Sequence, residues 1–322
     1  MKKILLLNHY SGVPLEIVKS ALPVGFELLV PEKSAAECVE PLLPEADYIL
    51  AGGRLPLTGD MLSKAPKLKM IQRTGVGLDS LDLDAIKARG IPLYVNRGIN
   101  AQSVAEHALL LMLACLRQLT VADRNTRRGV WLKQEHGVKT RELHGKTVGI
   151  VGMGSAAKAL VRLLKPFGVN ILYYDPFRAD EAFEKDAGIS YSDLDALLSR
   201  SDIISLHCAL TGDTANLINR ESISRMKDGA IIVNTARGAI VNAEDLKQAL
   251  ESGKLAFAAL VVHEREPVGA DYCLSGLENV ILTPHIAGVT ADSFGEMMKS
   301  ALNNIALYDR GKTDEIEVSR YL

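Results

Sequence analysis

No charge of one sign dominates this chain. Lys and Arg number 37 against 39 Asp and Glu, a net charge of −2 at pH 7, so no global field draws it to nucleic acid or to an anionic membrane. Long hydrophobic runs are also missing. The longest purely apolar stretch, Ala108 to Leu116, is about half of the roughly 18 residues a membrane span needs. Met1-Lys2-Lys3 before Ile4 to Leu7 imitates the start of a secretion signal, but Asn8-His9-Tyr10 ends the run before an h-region of about 7–15 residues can form. The 4 cysteines (Cys38, Cys115, Cys208, Cys273) form no C-x-x-C pair and have no zinc-like histidine spacing. They point to a reduced cytoplasm. Internal repeats and low-complexity segments are absent.

What is present is the mix of a soluble globular protein, 48% hydrophobic and 24% charged, which excludes disorder and collagen-like repeats. The 322 residues suggest two domains at about 150 residues each. Short apolar runs alternate with helical patterns, which predicts βαβ units and parallel sheets. Residues 4–7, 26–30, 47–51, 68–72 and 91–95 read as strands of a first α/β unit. Residues 103–118 predict a long, very apolar helix, with Ser103 as N-cap and Glu106 at capping-box spacing. Such a helix is buried on most sides, at a domain junction or a subunit interface. The polar stretch 120–142, which holds the single Trp131, reads either as a solvated helix with one buried aromatic or as an arm that packs Trp131 on a partner subunit. Beyond it, strands are predicted at 146–151, 169–175, 188–191, 202–207, 229–234, 256–262 and 279–282. Helices fall at 155–165, near 193–199, 219–226 and 242–251, and at 290–310.

Residues 147–175 carry the strongest local signal. The strand TVGIV runs into Gly152-Met153-Gly154-Ser155-Ala156-Ala157 and then a helix, which fits G-x-G-x-x-[G/A]. Glycine at 152 lets the chain turn sharply. Glycine at 154 leaves room for a pyrophosphate, which the helix N-terminus receives with unpaired N–H groups and a positive dipole end. Asp175 follows Gly154 by about 20 residues; a carboxylate there binds ribose hydroxyls and repels a 2′-phosphate, favouring NAD over NADP. Arg178 nearby would soften that preference.

Three later segments bear on the reaction. Arg237 stands just beyond the strand end at Asn234, where open α/β sheets place ligands, and a guanidinium there can grip a carboxylate at two points. Residues 256–267 end in Glu264, Glu266 and Pro267. His285 follows Pro284 at the end of the last strand. A histidine with a carboxylate arriving from the neighbouring strand end suits general acid/base work, the carboxylate orienting the ring and stabilising the imidazolium.

These segments resemble the D-isomer-specific 2-hydroxyacid dehydrogenases. The resemblance runs in order along nearly the whole chain: GVGLDSLDL (75–83), NAQSVAEHA (100–108), VGIVGMGSAA (148–157), YYDP (173–176), LHCALTGDT (206–214), NTARGAIVN (234–242), EREP (264–267) and TPHIAG (283–288). It implies that Arg237 anchors the substrate carboxylate and carbonyl, that Glu266 holds and tunes His285, and that His285 exchanges the proton. Hydride passes directly between C2 and nicotinamide C4, and no metal is needed. It further implies that the backbone of Gly75-Val76-Gly77 helps bind the carboxylate. The cofactor contacts it implies are Gly152, Gly154, Ser155, Ala156, Asp175, Cys208, Thr235 and Ala236, with position 261 at the nicotinamide carboxamide.

The architecture the resemblance implies is a Rossmann-type doubly wound parallel-sheet domain (100–287) plus a smaller flavodoxin-like α/β domain (1–99 with 288–322). The cleft between them closes about crossings near 100 and 288. A homodimer built on the 103–118 helix and the Trp131 arm is expected. The chain departs from the family pattern at Ser155, at Ala157 and at Val261, where A-L-D-V-x-x-x-E-P usually has aspartate. Losing that acceptor costs about 1.5–3 kcal/mol, so the expectation is weakened NAD binding, restored by Val261→Asp. The leading reading is an NAD-dependent reductase of a small 2-oxo acid. A dinucleotide-sensing protein of the same fold is the alternative, and a Rossmann-type methyltransferase leaves Arg237, Glu266 and His285 without roles. Arg54 is read as a surface arginine or as a contact to a phosphate or second carboxylate. The end near 310 leaves no room for a further regulatory domain of about 70 residues.

Overall fold

The structure is a computed structural model that describes residues 1–53 and 55–316. It divides into two compact units, Met1–Asn100 joined by the chain from Thr290 onward, and Ala101–Val289. The first holds β1 (Lys2–Leu6), β2 (Phe26–Leu29), β3 (Tyr48–Ala51), β4 (Met70–Arg73) and β5 (Leu93–Val95) in the order β2-β1-β3-β4-β5. All pairings are parallel. This is the flavodoxin-like order. Side chains alternate between faces along each strand. Ile4, Leu6, Tyr48, Leu50 and Met70 therefore meet the Ala291–Asp309 helix through Met298, Leu302 and Ile305. Leu5, Leu7, Ile49 and Ile71 pack on the opposite side with Leu43, Met61 and Ile86. Burial on both faces makes the inner strands largely apolar, while the edge strand β2 keeps Glu27 exposed.

The second unit holds β6 (Thr147–Val151), β7 (Asn170–Tyr174), β8 (Ile189–Tyr191), β9 (Ile203–Leu206), β10 (Ala230–Asn234), β11 (Leu255–Leu260) and β12 (Val280–Leu282). They form one parallel sheet in the order β12-β11-β10-β9-β6-β7-β8. Renumbered within the unit, the central six follow the doubly wound dinucleotide order with one strand added at the edge. The same alternation splits the core: Val148, Ile150, Ile203, Val233, Ala259 and Val261 lie on one face, and Val151, Ile204, Leu206, Ile232, Ala258 and Leu260 on the other.

The long helix runs over Ala101–Leu116 and buries Ala105, Ala108, Met112 and Cys115 on one face. It begins two residues before Ser103, so Ser103 is not its N-cap; Glu106 instead accepts a hydrogen bond from Gln102 at 2.8 Å. The 120–142 stretch is two short helices, Leu119–Arg127 and Lys133–Gly137. Trp131 falls between them and is 78% exposed, which overturns the solvated helix with a buried aromatic. Among the described residues no single helix is long and apolar enough to cross a membrane; the pair Ala101–Leu116 and Leu119–Arg127 reaches the composition only with a 62° bend.

Candidate active site

The order of the second sheet reverses at β6. The chain runs outward through β7 and β8, then returns to β9 on the other flank of β6. A crevice opens at the carboxyl ends of two such strands, and the glycine-rich turn lies there. Gly152 has φ +93°, and a Cβ on it would stand 2.5 Å from the Cys208 amide nitrogen. Glycine is therefore required both by the turn and by the approach of the chain leaving β9. Gly154 differs. Its φ is −75°, and an added Cβ would meet nothing within 4 Å. No protein atom demands glycine at 154, so the open cradle fits a bound group. The Ser155–Leu164 helix that follows has no side-chain cap on its first amides and no acid in its first turn, as a pyrophosphate site needs. Ala157 is fully buried in the core shared with Ala105 and Ala108, so its departure from glycine is taken up by helix packing.

Asp175 sits at the end of β7. It accepts from the Met153 N–H at 2.7 Å and the Phe177 N–H at 2.8 Å, which holds the carboxylate beside the turn. Arg178 is committed elsewhere: Nε and Nη2 each donate to Glu184 at 2.9 Å. That pairing, joined by the Tyr173 hydroxyl, holds the Glu184 carboxyl down to about 2.

Cys208 follows β9, and burial pushes its thiol up to about 11, so it is neutral at working pH. Thr235 and Ala236 follow β10. The Thr235 hydroxyl lies 3.3 Å from both the Leu206 carbonyl and His207 Nδ1. His207, which sequence reasoning passed over, also pairs through Nε2 with Ser205 at 2.8 Å, and burial pushes its imidazole down to about 4.

The candidate acid/base pair comes from adjoining strand ends. His285 Nδ1 lies 2.7 Å from Glu266 Oε2, and Glu266 Oε1 accepts from the His263 N–H at 3.0 Å. Burial would raise the Glu266 carboxyl, but the bonds from His285 and His263 outweigh it and hold it below the usual carboxylate range. With Nδ1 engaged, Nε2 is the nitrogen left for proton exchange, on a side chain that is 50% exposed. His285 adopts φ +52°, a left-handed conformation that costs a non-glycine residue on the order of 1–3 kcal/mol. Its N–H, bonded to the Val261 carbonyl at 2.7 Å and the Thr283 carbonyl at 3.0 Å, helps hold that turn.

Arg237 leaves β10 on a loop shaped by Asn234, whose amide donates to the Arg237 carbonyl at 2.9 Å and accepts from the Ala236 N–H at 3.0 Å. The next residue sets the spacing. A Cβ on Gly238 would stand 1.9 Å from the His263 carbonyl carbon. The Arg237 loop therefore lies in backbone contact with the loop that carries Glu266. β10, β11 and β12 are parallel neighbours, so Arg237, Glu266 and His285 all leave the same edge of the sheet.

Val261 stands just beyond β11. Its side chain is 0% exposed within the core that includes Ala105, Ala259 and Ala287, so it offers a ligand no surface. Its backbone instead continues the sheet, donating to the Asn234 carbonyl at 3.0 Å and accepting from His285. In the first unit, Gly75-Val76-Gly77 follows β4. Buried Arg73 donates to the Gly77 carbonyl at 2.7 Å and to the Gly52 carbonyl, and Val76 is 52% exposed. Arg54 lies outside the described residues.

Residues 109–287 match the family model described as the D-isomer specific 2-hydroxyacid dehydrogenase, NAD binding domain. A hydroxypyruvate reductase of Thermotoga maritima is 41% identical over 254 residues, 78% of this chain and 81% of its own. A Granulicella formate dehydrogenase superposes with TM-score 0.89 at 26% identity, over 97% of this chain and 96% of that one. The D-lactate dehydrogenase of Aquifex aeolicus, solved with NAD and lactic acid, gives TM-score 0.86 at 29% identity over 98% of each chain. The chain therefore belongs to the D-isomer specific 2-hydroxyacid dehydrogenase family of NAD-dependent oxidoreductases.

Proposed function

We propose that this dehydrogenase interconverts a small 2-oxo acid (glyoxylate, hydroxypyruvate, the oxo form of 3-phosphoglycerate or similar) and its D-2-hydroxy acid. The observation that carries the reading is the Glu266–His285 pair at 2.7 Å on the sheet edge that also holds Arg237. Arg237 grips the substrate carboxylate and polarises the carbonyl. His285 donates a proton from Nε2 to the carbonyl oxygen in reduction and removes it from the hydroxyl in oxidation. Glu266 keeps the ring oriented and offsets its positive charge when it is protonated. The dinucleotide would be held by Gly152, Gly154, Ser155 and Ala156 at the pyrophosphate, by Asp175 at the ribose, and by Cys208, Thr235 and Ala236 along the crevice. NAD(H), when bound, supplies or accepts the hydride. Asp175 beside the turn, with Arg178 committed to Glu184, supports NAD over NADP.

Assembly as a homodimer is supported by exposed apolar side chains on the second unit. Leu110 and Leu119 are each 53% exposed and Trp131 is 78% exposed. They line a groove of about 600 Å³ with Leu113, Val130 and Leu132, an apolar patch of the kind that marks an interface.

The test of the reading is NADH oxidation with glyoxylate, hydroxypyruvate, pyruvate and phosphohydroxypyruvate. Turnover of at least one is expected. No turnover on any, together with tight NADH binding, would establish the dinucleotide-sensing alternative.

A further inference from the structure

His263 lies outside the three groups that the mechanism uses, yet it touches the supports of two of them. Its ring is 7% exposed and meets Tyr272 edge-on, with centroids 5.4 Å apart and planes at 83°. Nε2 lies 3.1 Å from the Thr283 carbonyl oxygen. A carbonyl only accepts, so Nε2 carries the proton and Nδ1 is a bare acceptor. Nδ1 has no hydrogen-bond partner, so nothing there competes for the proton. The Thr283 carbonyl that takes the His263 proton also takes the His285 N–H at 3.0 Å. The His263 N–H in turn donates to Glu266 Oε1 at 3.0 Å.

We propose that His263 is a positioning residue for proton transfer: its Nε2–H pins the carbonyl that anchors the left-handed turn of His285, while its backbone orients the carboxylate that holds the same ring. The logic follows from strain. A histidine at φ +52° stays there only if its surroundings fix the turn. The Thr283 carbonyl is one of the two acceptors that do so. With the side-chain bond gone, that peptide unit can rotate, and the His285 ring loses its alignment with Glu266 and with the substrate oxygen. Misalignment of a proton donor lowers the rate of the chemical step more than the affinity for substrate.

The inference rests on the dehydrogenase reading, so the wild-type enzyme is first shown to turn over one of the four oxo acids. His263→Phe keeps the ring against Tyr272 and removes the donor. His263→Gln places an amide N–H near the position of Nε2. The expected result is a loss of kcat of about 10- to 100-fold in H263F with KM and NADH affinity within about threefold, and recovery to within about threefold of wild type in H263Q. Equal kcat in H263F and wild type would overturn the proposal, as would equal losses in both variants. A second measurement is independent of folding in the variants and of turnover: nitrogen NMR of histidine-labelled wild-type enzyme. His263 is expected as the Nε2–H tautomer at neutral pH, and an Nδ1–H tautomer would contradict the assignment.

Discussion

Two glycines separate what the protein needs from what its ligand needs. At Gly238 a Cβ would stand 1.9 Å from the His263 carbonyl carbon, whereas at Gly154 it would meet nothing within 4 Å. Gly238→Ala must push the Arg237 loop off the Glu266 loop. It is expected to destabilise the fold by about 1–3 kcal/mol and to lower kcat/KM by on the order of 100-fold. Gly154→Ala is expected to leave the melting temperature unchanged and to weaken NADH binding tenfold or more, as calorimetry would show. Loss of stability in G154A would mean that the cradle serves the fold. Glu266 gives a second contrast. Its folded carboxyl lies below the usual range, so its contribution is complete at neutral pH and is lost as pH falls through that lowered value. Glu266→Gln is therefore expected to flatten the acid limb of the unfolding curve while lowering kcat about 100-fold. Position 261 sets the sequence pattern against the packing. In A-L-D-V-x-x-x-E-P the missing aspartate reads as a missing cofactor contact, yet the valine is enclosed by core. Val261→Asp is expected to cost about 3 kcal/mol or more without ligand. A gain in melting temperature on adding NADH larger than in wild type would show that the carboxylate reaches the carboxamide. An equal gain would show that it does not.

Most strands were legible because the sheet faces are covered, so the inner strands read as apolar runs with glycine or polar residues at their ends. The same rule explains what was hard to read. Short helices such as Gly59–Ser63 and Leu83–Ala88 have one or two turns, too few for a helical period to stand out. The start of the Ala101–Leu116 helix was misplaced because Ser103 and Glu106 satisfy the spacing of a capping box inside the first turns as well as at the end. The site itself was half legible. Strand ends deliver Arg237, Glu266 and His285, which the motifs mark. The groups that hold them are invisible without coordinates: the Asn234 amide bonds within its own loop, and Gly238, His263 and the carbonyl of Val261 meet neighbouring segments through the backbone. His207 belongs with these. It stands at the end of β9 between Ser205 and Thr235, tying β9 to β10. Its imidazole, near 6.5 when unfolded, is pushed down to about 4 by burial. The unfolded chain therefore binds the extra proton between those values, and stability falls as pH drops through that window, by about 3 kcal/mol in all. His207→Gln is expected to remove most of that slope in urea titrations across the same window. An unchanged slope would place the acid sensitivity elsewhere.

At the scale of the whole molecule, two parallel sheets with different strand orders carry different candidate groups. The seven-stranded unit carries the glycine-rich turn and the Glu266–His285 pair. The five-stranded unit carries the Gly75–Gly77 turn on a sheet closed by the returning Ala291–Asp309 helix. The single Trp131, 78% exposed, is placed to report on the proposed assembly. Its emission is expected to shift to shorter wavelength as concentration rises and the chain pairs, and Trp131→Glu is expected to sediment as a monomer. A wild-type monomer at all concentrations would remove the homodimer. In the proposed reaction Arg237 and His285 present one 2-oxo acid to the nicotinamide, and hydride moves directly to C2. The most direct measurement supplies NADH carrying deuterium at C4, on one face and then on the other, and follows the label into the hydroxy acid by mass spectrometry. Deuterium is expected on C2 from one face only, with a slower turnover for that cofactor. Product without label from either face would contradict it.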